Sequence, residues 1–198
     1  MASPPPQIVA QERELNSLYL VTTIVVLVVV TITFASLILV FLWRSQNAYL
    51  WGRIYIPSLL WITTGLLLAS SVTLEQARAA MKFHHRTKVL RFVGSTTGLG
   101  CLFLLGQAAS WLQVMHSNVV LERDKHSWFI FLFTGLHAVH ILAGLAGLAY
   151  LWHRARQQVS GPRYQMTTRA YANALTIFWH YLGFLWIVLF ALLLTWRR

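Results

Sequence analysis

The chain has 198 residues, 57% of them hydrophobic and 11% charged, with a formal net charge of +11. A soluble domain carries about 25% charged residues, so an ordinary soluble fold is excluded. With Cys101 as the one cysteine, so is a disulfide framework within the chain.

Residues 1–17 form a short N-terminal tail, and its Ala2-Ser3-Pro4-Pro5-Pro6 stretch is expected to be disordered. A bilayer core about 30 Å thick needs roughly 20 apolar residues per helix, and five stretches reach that length. The first, 18–43, is longer than the roughly 7–15 residues of a signal-peptide core. Trp43-Arg44 follows it in place of a small-residue cleavage site, so it is predicted to be retained as a span. The others are predicted at 54–74, 92–114, 127–152 and 172–196. Trp43, Tyr49, Trp51, Trp152 and Trp196 stand at their ends, where aromatic rings prefer the headgroup level. The stretches are too long and too uniformly apolar for barrel strands. The predicted fold class is therefore all-α, an integral membrane bundle of five transmembrane helices, with residues 18–198 as its one domain.

Charge predicts the orientation. Arg78, Lys82, Arg86, Lys88 and Arg91 lie between the second and third spans, and Arg154, Arg156, Arg163 and Arg169 between the fourth and fifth. The opposite side has Arg44 and Arg53, then Arg123 and Lys125 beside Glu122 and Asp124, then Arg197 and Arg198. Basic loops next to spans stay in the cytoplasm, so the N-terminus is expected inside and the C-terminus outside. The same placement assigns the positive charge to the membrane surface and not to nucleic acid. Anionic lipid headgroups or an acidic neighbouring subunit are its natural partners.

All five acidic residues (Glu12, Glu14, Glu75, Glu122 and Asp124) fall outside the deep parts of the spans. Ion-coupled transporters keep carboxylates inside the bundle, so a stand-alone transporter is disfavoured. Glu75 is placed to pair with Arg78 three residues on.

The interior polar residues are mainly histidines and amides. His137 and His140 share a face of the fourth helix, and His180 is on the fifth. At 1.5 Å rise per residue their depths nearly coincide, so the three imidazoles can meet between helices. Two readings stay open: axial ligands of a haem or a metal, or neutral histidines hydrogen-bonded to neighbouring helices. His84 and His85 are expected to be solvated, and His116, His126 and His153 interfacial. Gln107 falls near the level of Thr134, which predicts a hydrogen bond between them. Ala143 and Gly147, four apart, permit close approach of another helix. Cys101 is expected to be a buried apolar filler.

Phe133-Thr134-Gly135-Leu136-His137-Ala138-Val139-His140, followed by Gly144, resembles the F-x-T-G-x-H-x-x-H signature of subunit III of haem-copper oxidases. Phe178-Trp179-His180-Tyr181 and Trp186 are similar to that family's Y-W-H-F-x-D-x-x-W. Ser70-Ser71-Val72-Thr73 resembles its S-S-x-T, and Leu99-Gly100 with Phe103 and Gln107 its L-G-x-x-F-x-x-x-Q. The five-helix length resembles the short bacterial form. Three positions depart from the pattern: the first helix has no glutamate, Ser110 stands where a glutamate is usual, and Gly183 stands where the aspartate is usual.

The resemblance implies a non-catalytic subunit of a cytochrome c oxidase in the bacterial plasma membrane. Haem and copper would lie in partner subunits and not in this chain. Catalytic subunit I and the other oxidase subunits would be its partners, and phospholipid would be bound. Its role would be to support stability and proton uptake while the complex oxidises cytochrome c, reduces oxygen to water and pumps protons. His137, His140, His180, Thr134, Gln107, Trp179 and Glu75 would be structural, interhelical residues. A haem-binding membrane cytochrome, and subunit III of a quinol oxidase or a nitric-oxide-reductase-associated protein, are the alternatives.

Overall fold

The computed structural model describes residues 6–46, 58–83, 85–116, 127–157 and 161–195. They form five helices in chain order: α1 (Pro6–Gln46), α2 (Leu59–Lys82), α3 (Arg86–His116), α4 (Ser127–Arg156) and α5 (Pro162–Thr195). Four of them, α1, α3, α4 and α5, are long and apolar enough to cross a membrane by length and composition. The remaining helix, α2, has 24 residues but carries Thr63, Thr64, Ser70, Ser71 and Thr73 along its length. The predicted start of its span at Ile54, with Tyr49, Trp51, His84, His126 and Trp196, lies outside the described residues. The chain is a multi-pass, all-helical membrane protein.

The helices run past the apolar stretches that predicted them. On the basic side α2 continues to Lys82, α3 already starts at Arg86, α4 reaches Arg156 and α5 starts at Pro162. Much of what the charges mark as loops is thus helix. Nothing in water forces a helix to stop where its apolar run stops, since Lys, Arg, Gln and Ala are good helix formers. Likewise α1 begins at Pro6, a residue tolerated in the first helical turn.

The turns on this side are closed by side chains. Arg86, at the start of α3, donates through Nε to the Ala155 carbonyl at 2.9 Å and through Nη2 to that of Arg156. Tyr164 of α5 donates to the Arg154 carbonyl at 2.9 Å. The last carbonyls of a helix have no partner within it. These bonds satisfy them and place a cation at the negative end of the α4 dipole.

Helices α2, α3, α4 and α5 pack in a ring, each against the next and α5 back against α2, while α1 lies outside on α4 and α5. Leu67 and Leu74 of α2, Val93 and Phe103 of α3, Ile141 and Leu148 of α4, and Leu182 of α5 fill the ring. A second cluster joins Val30, Phe34 and Phe41 of α1 to Phe133 of α4 and to Leu185 and Leu189 of α5. The inward residues of α5 (Leu175, Trp179, Leu182, Trp186, Leu189 and Leu193) recur at intervals of three and four, the spacing of one helix face. Many apolar side chains of α1, among them Leu18, Val25, Ile32 and Leu39, point outward. That is unremarkable where the solvent is hydrocarbon.

Close approach of α2 and α3 depends on Gly106. A Cβ built there would sit 2.3 Å from Cγ2 of Thr63, whereas one built at Gly98 meets nothing within 4 Å. Gly106→Ala is therefore expected to lower thermal stability in detergent by about 1–3 kcal/mol, and Gly98→Ala to leave it unchanged or raise it slightly.

Candidate functional site

Most of the motif residues converge inside the four-helix ring, and three indoles organise them. Trp179 Nε1 donates to Ser70 Oγ at 3.0 Å, joining α5 to α2. Trp186 Nε1 donates to Thr64 Oγ1 at 3.0 Å, one helical stretch away on the same pair. Trp111 Nε1 donates to Thr134 Oγ1 at 3.0 Å, joining α3 to α4. Each accepting hydroxyl in turn donates to a carbonyl of its own helix: Ser70 to Leu67 at 2.6 Å, Thr64 to Leu60 at 2.7 Å and Thr134 to Ile130 at 2.6 Å. An indole can only donate, whereas a hydroxyl can donate and accept. The relay thus satisfies both groups without water.

Glycines hold the Trp179 ring from two sides. A Cβ at Gly100 would lie 3.0 Å from its Cη2, and one at Gly144 2.9 Å from its Cε3 and Cζ3. Further along α4, Gly147 lies against Leu175, where a Cβ would approach Cδ1 to 2.8 Å, and its carbonyl accepts from the Tyr171 hydroxyl at 3.2 Å. The expectation of a close approach on α4 holds, but through Gly144 and Gly147. Ala143 is exposed, because the inward face is the one presented to Trp179 and Leu175. Thr73 and Thr96 bond across α2 and α3 at 2.8 Å, and Tyr181 and Thr31 across α5 and α1 at 2.6 Å.

His180 separates from the other two histidines. His137 is buried against Trp186, ring centroids 5.0 Å apart and tilted by 31°, with Phe103 edge-on at 5.9 Å. His140 faces α1, with Phe34 at 5.5 Å, and its Nδ1 contacts the Leu136 carbonyl at 2.7 Å. His180 is exposed, and its Nδ1 contacts the Thr176 carbonyl of its own helix at 2.8 Å. The expected meeting of three imidazoles is therefore corrected. Equal depth does not imply a shared direction: His180 follows Trp179 by one residue, a turn of about 100° away from the core.

Two further expectations change, those for Gln107 and for Cys101. Thr134 bonds with Trp111 and not with Gln107, whose Oε1 is buried without a hydrogen-bond partner, as are both ring nitrogens of His137. Cys101 is exposed, because its neighbours Gly100 and Phe103 take the inward positions. Ser110, the usual glutamate position, is buried and donates to the Gly106 carbonyl at 2.9 Å. Gly183, the usual aspartate position, faces Ser71, whose Oγ a Cβ would meet at 3.5 Å. Glu75 pairs with Arg78 at 2.9 Å on an exposed face. Ser70, Thr64, Trp111 and Trp186 carry the interlock without having been singled out as site residues; donor-only indoles spaced along apolar helices were the signal for them.

Ser70→Ala is expected to lower stability by about 1 kcal/mol, in the range of hydrogen bonds between membrane helices. Gly144→Ala should lower it more, by about 1–3 kcal/mol. Trp179→Phe removes the outer ring atoms that Gly144 touches and should suppress much of the Gly144→Ala defect. Unfolding of the single and double variants in one detergent gives the coupling.

The family model for cytochrome c oxidase subunit III matches residues 51–198. Cytochrome c oxidase subunit 3 of a Synechocystis species is 27% identical over 127 residues, covering 64% of this chain and 52% of that protein. That of Corynebacterium diphtheriae is 28% identical over 129 residues, 65% of this chain and 61% of that protein. That of Thermostichus vulcanus is 27% identical over 142 residues, 71% of this chain and 66% of that protein. The chain thus spans about half to three fifths of the first two relatives. Since the family match covers well over half of the chain and includes α2 to α5, with the interlock they build, the chain belongs to the cytochrome c oxidase subunit III family.

Proposed function

We propose that this chain is a non-catalytic subunit III of a respiratory haem-copper oxidase in a bacterial plasma membrane. It packs against catalytic subunit I and other oxidase subunits, which hold the haem and copper, oxidise cytochrome c and reduce oxygen while pumping protons. The N-terminus lies in the cytoplasm and the C-terminus outside, in keeping with the basic side. The chain holds phospholipid, and it supports the stability of the complex and proton uptake.

One observation carries this reading. The motif residues Ser70, Thr134, Trp179 and Trp186 are used in bonds between helices. Residues of this kind build a scaffold. The haem alternative asks for two imidazoles directed at one iron from facing helices. Here His137 is enclosed by Trp186 and Phe103, while His180 turns outward.

Purification of the tagged chain from its native membrane in mild detergent is expected to bring down a haem-copper catalytic subunit in stoichiometric amount, and the chain alone should show no Soret band. Absence of any oxidase subunit, or a Soret band abolished by His137→Leu, overturns the reading. Replacing Arg78, Lys82 and Lys88 by Gln should alter the salt dependence of oxygen consumption by the assembled complex, because surface charge acts through a screened field. An unchanged salt profile removes this basic segment from the proton-uptake role.

A further inference from the structure

Among the described residues, Gln107 and His137 are buried at 2% and 0% exposure, and Gln107 Oε1 and both ring nitrogens of His137 have no hydrogen-bond partner in the protein. The two residues fall together along the seam of α3 and α4. Phe103, one turn before Gln107, touches the His137 ring. Trp111, one turn after Gln107, bonds Thr134, which stands three residues before His137. A neutral imidazole offers one N–H and one lone pair, and an amide oxygen only accepts. The pair therefore presents two acceptors that need donors. The side-chain donors on the neighbouring turns are already committed. Trp186 donates to Thr64, Trp111 to Thr134, Thr134 to the Ile130 carbonyl and Ser110 to the Gly106 carbonyl. Nor is α4 pressed tightly onto α3 along this seam: a Cβ built at Gly135 would meet Trp111 only at 3.9 Å.

We propose that Gln107 and His137 together hold an ordered water molecule inside the four-helix ring. It donates one O–H to the Gln107 amide oxygen and the other to the unprotonated nitrogen of His137. Water is the guest that fits, because it is small, neutral and carries two donors. Buried waters typically make about three hydrogen bonds to groups that would otherwise lack them. A direct bond from the His137 N–H to Gln107 would leave the imidazole lone pair bare, at the full cost of an unpaired buried acceptor. Immobilising one water costs less than that. The site lies within this chain's own ring, so it does not depend on the oxidase reading, and its failure leaves that reading untouched.

A high-resolution structure of the full chain, crystallised from a lipidic phase, tests the site directly. One density peak is expected within hydrogen-bond distance of both Gln107 Oε1 and a His137 nitrogen. It should be missing in Gln107→Met, which keeps the length of the side chain and removes the acceptor. Direct contact between the two side chains, or no peak between them, overturns the proposal. Thermal unfolding in detergent gives an independent readout. Gln107→Met should lower the unfolding temperature, because it takes a partner from the water. Removal of an acceptor that had no partner would raise it instead, and that result counts against the site. His137→Phe should also lower the unfolding temperature, and the double variant should lose less than the sum of the two. Strictly additive losses overturn the shared water. If either variant does not fold, the density in the unaltered chain decides.

Discussion

An indole N–H in the middle of a membrane bundle must find an acceptor, and this requirement at Trp179 constrains the elements around it. In hydrocarbon no water stands in for a missing partner. Trp179 reaches Ser70 only if α5 lies close to α2 at one register, and its ring fits there only because α3 and α4 present Gly100 and Gly144. One side chain of α5 thereby ties the positions of the other three helices of the ring. Trp186 with Thr64, and Trp111 with Thr134, repeat the device at other levels. Their repetition matters because each bond between membrane helices contributes only about 0.6 kcal/mol on average. A single one would not fix a register, whereas several that agree on the same register do.

Four of the spans were legible in the sequence because hydrocarbon thickness sets a minimum apolar length, and α1, α3, α4 and α5 meet it. The helix ends were not, because beyond the hydrocarbon only capping and turn chemistry stop a helix. α3 starts at Arg86 where the apolar run starts near Phe92. The glutamate–arginine pair at Glu75 was legible because it is local, fixed by spacing on one helix. Contacts between helices were legible only as motifs. Depth along the membrane follows from residue counting, but direction around the helix axis depends on which face is buried. For that reason His180, level with His137, lies outside the core, and Gln107, level with Thr134, loses that partner to Trp111. Cys101 was misplaced for the same reason.

His137 and Gln107 show how far the dry interior departs from full satisfaction. The Oε1 atom of Gln107 and both ring nitrogens of His137 lack partners, and a buried polar group in that condition costs about 1–3 kcal/mol. The tilted contact with Trp186 and the edge-on contact with Phe103 give the imidazole aromatic neighbours, a weaker environment than a hydrogen bond. These two residues sit in the ring where α3 meets α4, within the stretch bounded by the Phe103–His137 and Trp111–Thr134 contacts. Among the described residues the unpartnered buried side-chain atoms thus fall together, beside the Trp186–Thr64 and Trp111–Thr134 relays.

The division of polar groups along the bundle follows from the same solvent argument. Inside, hydroxyls and indoles do the joining, and they are neutral; among the described residues Glu75, which pairs with Arg78, lies on an exposed face. A carboxylate or guanidinium placed inside would need a partner of opposite charge and still bear a large desolvation penalty. At the basic end water and headgroups lift that restriction. There Arg86 and Arg154 join helices through carbonyls and a hydroxyl while retaining net charge. Among the described residues the helices are thus joined by neutral groups, and Arg86 and Arg154 keep their net charge at the end where the membrane surface or a neighbouring subunit presents anions.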